Sequence, residues 1–128
     1  MKAVTRYGDA GPGPKGTAMT VNLELDGQEF TALNGGPQFP FTEAVSFVVH
    51  CDTQQDVDAY WEKLTDGGRA SQCGWLKDRY GLSWQIVPTA LGQMLGDEDP
   101  ERAGRVMAAM MQMKKIDIET LQQAYEQG

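Results

Sequence analysis

The stretch Gly74–Pro88, GWLKDRYGLSWQIVP, carries the strongest structural signal in the chain. Trp75 and Leu76 read as one strand, Asp78 to Gly81 as a turn, and Leu82 to Val87 as a second strand. Leu82, Trp84 and Ile86 alternate with Ser83, Gln85 and Val87, the period of a sheet with two unlike faces. The first set is bulky and apolar enough to lie under a helix. The second is mixed and suits a cavity wall better than a dry core.

Upstream of this hairpin, Ala44 to His50 reads as a strand, with Val45, Phe47 and Val49 on the apolar face and Ser46, Val48 and His50 opposite. Thr53 to Asp66 reads as a helix: Thr53 and Asp56 make a capping-box-like start, and Val57, Tyr60, Trp61 and Leu64 form the apolar stripe. Gly67-Gly68 ends it, and Arg69 to Cys73 leads into the hairpin as a further strand. Before the proline-stiffened linker Gly35–Phe41, three more strands are expected: Ala3 to Tyr7, Thr17 to Leu25 and Gln28 to Asn34. Asp26-Gly27 is a hairpin turn between the last two. The loop GDAGPGPKG ends in K-G-T, but Pro12 and Pro14 remove amide donors and the G-K-[ST] order is absent, so it is not a phosphate loop.

Downstream, Pro88 suits the first position of a short helix to Leu95. Asp99-Pro100-Glu101 supplies the cap, first-turn proline and carboxylate of a helix running to Lys115, whose lysines would complement its C-terminal dipole. Asp117 caps a last helix, Ile118 to Gln127. Met107, Met110, Met111 and Met113 are assigned to packing against the sheet or a second subunit.

At 128 residues the chain is one domain, long enough to bury roughly two-thirds of its unfolded surface. Its 41% hydrophobic and 23% charged residues are those of a soluble globular protein. With a net charge of -7 and no basic cluster beyond Lys114–Lys115, nucleic acid and anionic membrane are excluded as partners. No apolar run approaches the about 18 residues of a membrane span, and no secretory signal is visible. Cys51 and Cys73 stand far apart outside any C-x-x-C pair and read as reduced, partly buried thiols, so a cytoplasmic location is the default.

The second half thus reads strand, helix and three strands, whereas the first half reads only three strands. A duplicated module would need a strand and helix before Ala3. A missing N-terminal piece, a partner subunit and the C-terminal helices folding back are the three ways to cover the first half's apolar face.

VTRYGDAGPGPKGT, FTALNGG, VSFVVHCDT and, above all, CGWLKDRYGLSWQIVP resemble the PhnB-like branch of the vicinal oxygen chelate superfamily, as does the tail MKKIDIETL. That superfamily holds glyoxalase I, bleomycin-resistance proteins and extradiol dioxygenases. The resemblance implies an α+β fold of paired βαβββ modules forming a cupped mixed sheet around a small-molecule cavity, usually in a homodimer. On it, residues 1–36 form an incomplete first module lacking its first strand and helix, 42–88 the second module, and 89–128 added C-terminal helices.

Metal-dependent members hold a divalent ion on the first and last strands of each module. Carried over by resemblance, those positions fall on Asn34, Ser46 and Gln85, while the one on the first strand has no counterpart. Neutral amide and hydroxyl oxygens bind such ions weakly beside imidazole and carboxylate, so no metal and no other cofactor is expected. The ligand-binding candidates are Asn34, Ser46, His50, Ser83 and Gln85; His50, the only histidine, is also a candidate acid or base. Three functions compete: metal-independent small-molecule binding, a metal-dependent lyase, isomerase or dioxygenase with a ligand from elsewhere, and the 3-demethylubiquinone methyltransferase of the branch's common label. The last lacks a glycine-rich strand-to-helix turn for its cofactor.

Overall fold

The computed structural model describes residues 1–127, leaving Gly128 of the C-terminal segment outside the described residues. The chain divides into two compact units, Met1–Pro40 and Phe41–Gly128.

In the first unit, β1 (Ala3–Arg6), β2 (Ala18–Leu25) and β3 (Gln28–Leu33) form an antiparallel sheet in the order β1-β2-β3. Asp26 and Gly27 turn the chain with φ of 49° and 79°, the doubly left-handed geometry that matches strand twist in a two-residue hairpin. Val21 lies opposite Val4 and Ala32, and Leu23 opposite Phe30, so the alternation read in β2 becomes one apolar face. The glycine- and proline-rich loop after β1 folds over Tyr7, which is 6% exposed. A Cβ on Gly11 or Gly13 would stand 2.6 or 2.4 Å from its ring, and the Tyr7 hydroxyl donates to the Asn34 carbonyl. The loop's composition serves one buried aromatic ring.

In the second unit, β4 (Ser46–Cys51), α1 (Gln54–Thr65), β5 (Arg69–Ala70), β6 (Trp75–Lys77) and β7 (Ser83–Pro88) follow one another as βαβββ. The sheet order is β4-β7-β6-β5, with β4 and β7 parallel and the other pairs antiparallel. Thr53 caps α1 by accepting from the Asp56 amide at 3.1 Å. The helix covers one sheet face: Cys51, Val57, Leu76 and Ile86 are buried, with Val49, Trp61, Leu64 and Trp84 packed around them. Phe47 and Trp84 meet edge-to-face with centroids 5.3 Å apart. Tyr60 departs from the expected stripe. It is 46% exposed, at the margin of a face that Val57, Trp61 and Leu64 already fill.

Three further helices, α2 (Thr89–Leu95), α3 (Pro100–Met110) and α4 (Ile118–Glu126), enclose a second core of Leu91, Met94, Val106, Ile116 and Leu121. Pro88 closes β7 and caps α2, one position earlier than expected. Asp99 and Asp117 cap α3 and α4 as read from the sequence. Helix α3, however, stops at Met110 and not at Lys115. The Met113 and Lys114 carbonyls accept from the amides of Cys73 and Gly74, each at 2.8 Å, and this tertiary pairing draws the segment out of the helix. Lys115 reaches Asp58 at 2.9 Å and caps no dipole. Met110 and Met113 join the second core, whereas Met107 and Met111 are exposed.

Two residues stitch these helices to the module. Gln54 accepts from the Ile118 amide at 2.7 Å and donates to the Ile116 carbonyl at 3.0 Å. Gly74 has φ +85°, and a Cβ there would lie 3.0 Å from the Ile86 carbonyl and 3.1 Å from Ile116 Cγ1. Only glycine fits that crossing. No helix among the described residues is long and apolar enough to cross a membrane.

Candidate functional site

The register of the second sheet fixes which side chains share its uncovered face. Across β4 and β7, Ser46 lies opposite Ser83, Val48 opposite Gln85, and His50 opposite Val87. Across β7 and β6, Gln85 meets Trp75 and Ser83 meets Lys77, and β5 adds Arg69 beside Lys77. All of these project away from α1, because partners in register share a face and neighbours along a strand do not.

The turn that sets this register is organised by one carboxylate. Asp78 Oδ1 accepts from the Tyr80 amide at 2.9 Å and the Leu82 amide at 3.1 Å, and Oδ2 accepts from Trp84 Nε1 at 2.9 Å. Gly81 supplies the left-handed residue, with φ +86°. The D-R-Y-G turn thus bonds directly to the strand whose alternation defines the two faces.

Of the five sequence candidates, Ser46, Ser83 and Gln85 come together. Gln85 Nε2 donates to Ser46 Oγ at 2.9 Å. Ser83 is 1% exposed, and its hydroxyl has no hydrogen-bond partner. Such an orphaned buried hydroxyl is costly and uncommon in a folded protein. His50 shares the face but stands near the far end of β4, exposed, opposite Val87, which leans on the C-terminal helical core. Asn34 belongs to the first unit, where its side-chain amide donates to the Ala18 carbonyl at 2.9 Å.

A cavity of about 290 Å³ opens on this face, lined by Glu43, Arg69, Trp75, Lys77 and Ser83 and by neighbours along β5 and β6; of the five candidates Ser83 alone lines it, with Ser46 and Gln85 next to it in register. Lys77 Nζ meets Glu43 Oε1 at 2.6 Å. The hydrogen bond from Lys77, with smaller help from Glu43's own backbone, holds the Glu43 carboxyl below the usual carboxylate range. Two roomier hollows, of about 530 and 580 Å³, lie on the outer side of α1 and between the starts of α1 and α4. Exposed residues form most of their walls, and of the three only the smaller hollow is lined by a residue, Ser83, whose side-chain hydroxyl is buried and unpartnered. Chemistry, not size, selects it.

Sequence reading passed over Glu43, Arg69 and Lys77 as site residues. Lys77 was within reach: it stands two residues after Trp75, and the hairpin brings it opposite Ser83. Glu43 gave no local signal, since it comes from the turn before β4.

The groups on this wall do not fit a divalent metal. Ser46 and Gln85 are hydrogen-bonded to each other, Gln85 through its donor nitrogen, and the described residues hold no cluster of three His, Cys, Asp or Glu side chains able to chelate an ion. A methyl-donor nucleotide fits no better. The strand-to-helix connections, Asp52-Thr53 after β4 and the direct step from Pro88 to Thr89 after β7, contain no glycine for close backbone approach. Burial, followed by Asp56 and Asp52, pushes the Cys51 thiol up, which suits a core residue and not a nucleophile.

An α+β chain whose second unit is a βαβββ module with one covered and one open face belongs to the glyoxalase-like class. The family model described as 3-demethylubiquinone-9 3-methyltransferase matches residues 1–87. The solved structure of a PhnB protein from Bacillus cereus, whose description carries the same methyltransferase name, is 33% identical, with a TM-score of 0.61, over 68% of this chain and 77% of that one. The crystal structure of protein PA1353 from Pseudomonas aeruginosa shares the fold at 18% identity, with a TM-score of 0.50, over 62% of this chain and 71% of that one. No curated protein matches the chain. This chain belongs to the PhnB-like family, the one that carries the 3-demethylubiquinone-9 3-methyltransferase description.

Proposed function

We propose that the protein binds a small organic molecule on the open face of its second sheet, without a divalent metal, as a cytoplasmic homodimer. The observation that carries this reading is Ser83, which lines the cavity beside the Ser46–Gln85 pair and whose hydroxyl is buried and unpartnered just behind that wall. A hydroxyl kept there at a cost to stability is explained when a ligand supplies the missing partner. Ser46 and Gln85 orient the ligand by exchanging their mutual hydrogen bond for bonds to it. His50, exposed near the end of β4, meets the ligand's outer end.

The test is a fragment screen by ligand-observed NMR, with hits followed by calorimetry on the wild type and on Ser46→Ala and Gln85→Ala. Specific hits weakened by both substitutions support the reading. Hits indifferent to both, or stoichiometric tight binding of Zn²⁺ or Ni²⁺, would overturn it. Calorimetry with S-adenosylmethionine is expected to show no heat of binding, and sedimentation is expected to give a dimer.

A further inference from the structure

The cavity beside Ser83 is cationic in an acidic protein. The chain has 11 lysines and arginines against 18 aspartates and glutamates, yet Arg69 and Lys77 stand side by side in register on this wall. Lys77 has a half-buried stem and keeps a carboxylate, that of Glu43, at 2.6 Å. Arg69 acts on the same carboxylate through space. Glu43 itself is mostly exposed, on the turn before β4, and is tethered to the wall by Lys77. Lys77 lies opposite Ser83, whose hydroxyl has a donor hydrogen and no acceptor.

We propose that this cavity takes the carboxylate of a small organic acid, which displaces Glu43 from Lys77 and accepts a hydrogen bond from Ser83. Glu43 occupies the anion position in the free protein and leaves it on binding. The geometry around Lys77 already accommodates a carboxylate. Trp75, on the same wall, supplies a flat apolar surface for the organic part. The volume of about 290 Å³ is at the small end for ligand pockets and suits a compact acid. This inference rests on the small-molecule reading of the same face and names the ligand's charge.

The test is a ¹⁵N–¹H NMR titration of the full chain with benzoate, its neutral isostere benzamide, and inorganic phosphate. Benzoate is expected to shift the Ser83 amide and the Trp75 indole saturably, while benzamide leaves them in place. Glu43→Gln removes the competing carboxylate and is expected to tighten benzoate by about two- to five-fold, the scale of an exposed ion pair. Lys77→Gln is expected to weaken it by about tenfold or more, the scale of a charge-assisted hydrogen bond. Because Glu43 is an exposed turn residue, E43Q decides the matter even if K77Q fails to fold.

Equal shifts from benzamide would overturn the carboxylate assignment and leave small-molecule binding standing. Tighter binding of phosphate than of benzoate would overturn the organic acid. No shift at Ser83 or Trp75 with any of the three would overturn this inference, while the fragment screen at Ser46 and Gln85 judges the broader reading separately.

Discussion

Replacing Asp78 isolates what holds the β6–β7 hairpin in register. Its carboxylate accepts three hydrogen bonds, two from turn amides and one from the Trp84 indole. A hydrogen bond to a charged acceptor contributes about 1.5–3 kcal/mol in a buried setting and nearer 1 kcal/mol where solvent competes. Asp78 is partly buried, so Asp78→Ala is expected to cost about 3 kcal/mol, a large share of the about 5–15 kcal/mol typical of a domain. Asp78→Asn separates the contributions. Its remaining oxygen still serves the Tyr80 and Leu82 amides, but its NH₂ cannot accept from Trp84, so the loss falls to about 1–1.5 kcal/mol. Urea unfolding followed by tryptophan fluorescence reads both, with an unchanged slope showing that only native stability moved. An alanine variant within about 0.5 kcal/mol of wild type, or an asparagine variant as unstable as alanine, would refute the reasoning.

Ser83→Ala removes the orphaned hydroxyl and is expected to stabilise the protein by about 1 kcal/mol in the same assay while weakening ligands of the open face. Gly74→Ala forces a side chain into the left-handed region against the Ile86 carbonyl and Ile116, and is expected to cost about 2 kcal/mol or more in thermal or urea unfolding. The Glu43 carboxyl is held below its ordinary value of 4.5, so the pair's contribution is present above that pH and fades as pH falls through the lowered value. A ¹³C titration of Glu43 is expected to give a midpoint below 4.5 in the wild type that returns towards 4.5 in Lys77→Met.

The features legible in the sequence are those with local causes. Alternation in Ser83–Pro88 separated the two faces because residues one apart on a strand must point oppositely. Thr53, Asp99 and Asp117 marked helix starts because a short oxygen-bearing side chain satisfies amides within its own turn. Asp26-Gly27 marked a hairpin because both residues tolerate positive φ. Where distant partners decide, sequence reading fell short. The α3 pattern continues through Lys115, but the amides of Cys73 and Gly74, about 40 residues away, claim the carbonyls beyond it. Tyr60 fits the helical period, yet Val57, Trp61 and Leu64 leave it no room in the core.

The candidate site divides along the same line. Ser46, Ser83 and Gln85 were reachable from strand period and resemblance, and their mutual placement follows from the parallel pairing of β4 with β7. The cationic part was not read. Lys77 and Arg69 become neighbours only through the antiparallel pairing of β5 and β6, and β5 is two residues long. Glu43 joins them from a turn that has no pattern of its own. Asp78 appeared as a turn residue, and its bond to the Trp84 indole follows from how the finished hairpin folds back.

On this account the open wall of the second sheet receives an organic ligand and does not chelate an ion. The Gln85 side-chain NH₂, which donates to Ser46, reports on that wall directly in a ¹⁵N–¹H spectrum. A bound fragment is expected to move this signal and the Ser83 amide together, while equimolar Zn²⁺ leaves both where they were. Zn²⁺ shifting them at one equivalent, with fragments moving neither, would contradict the account.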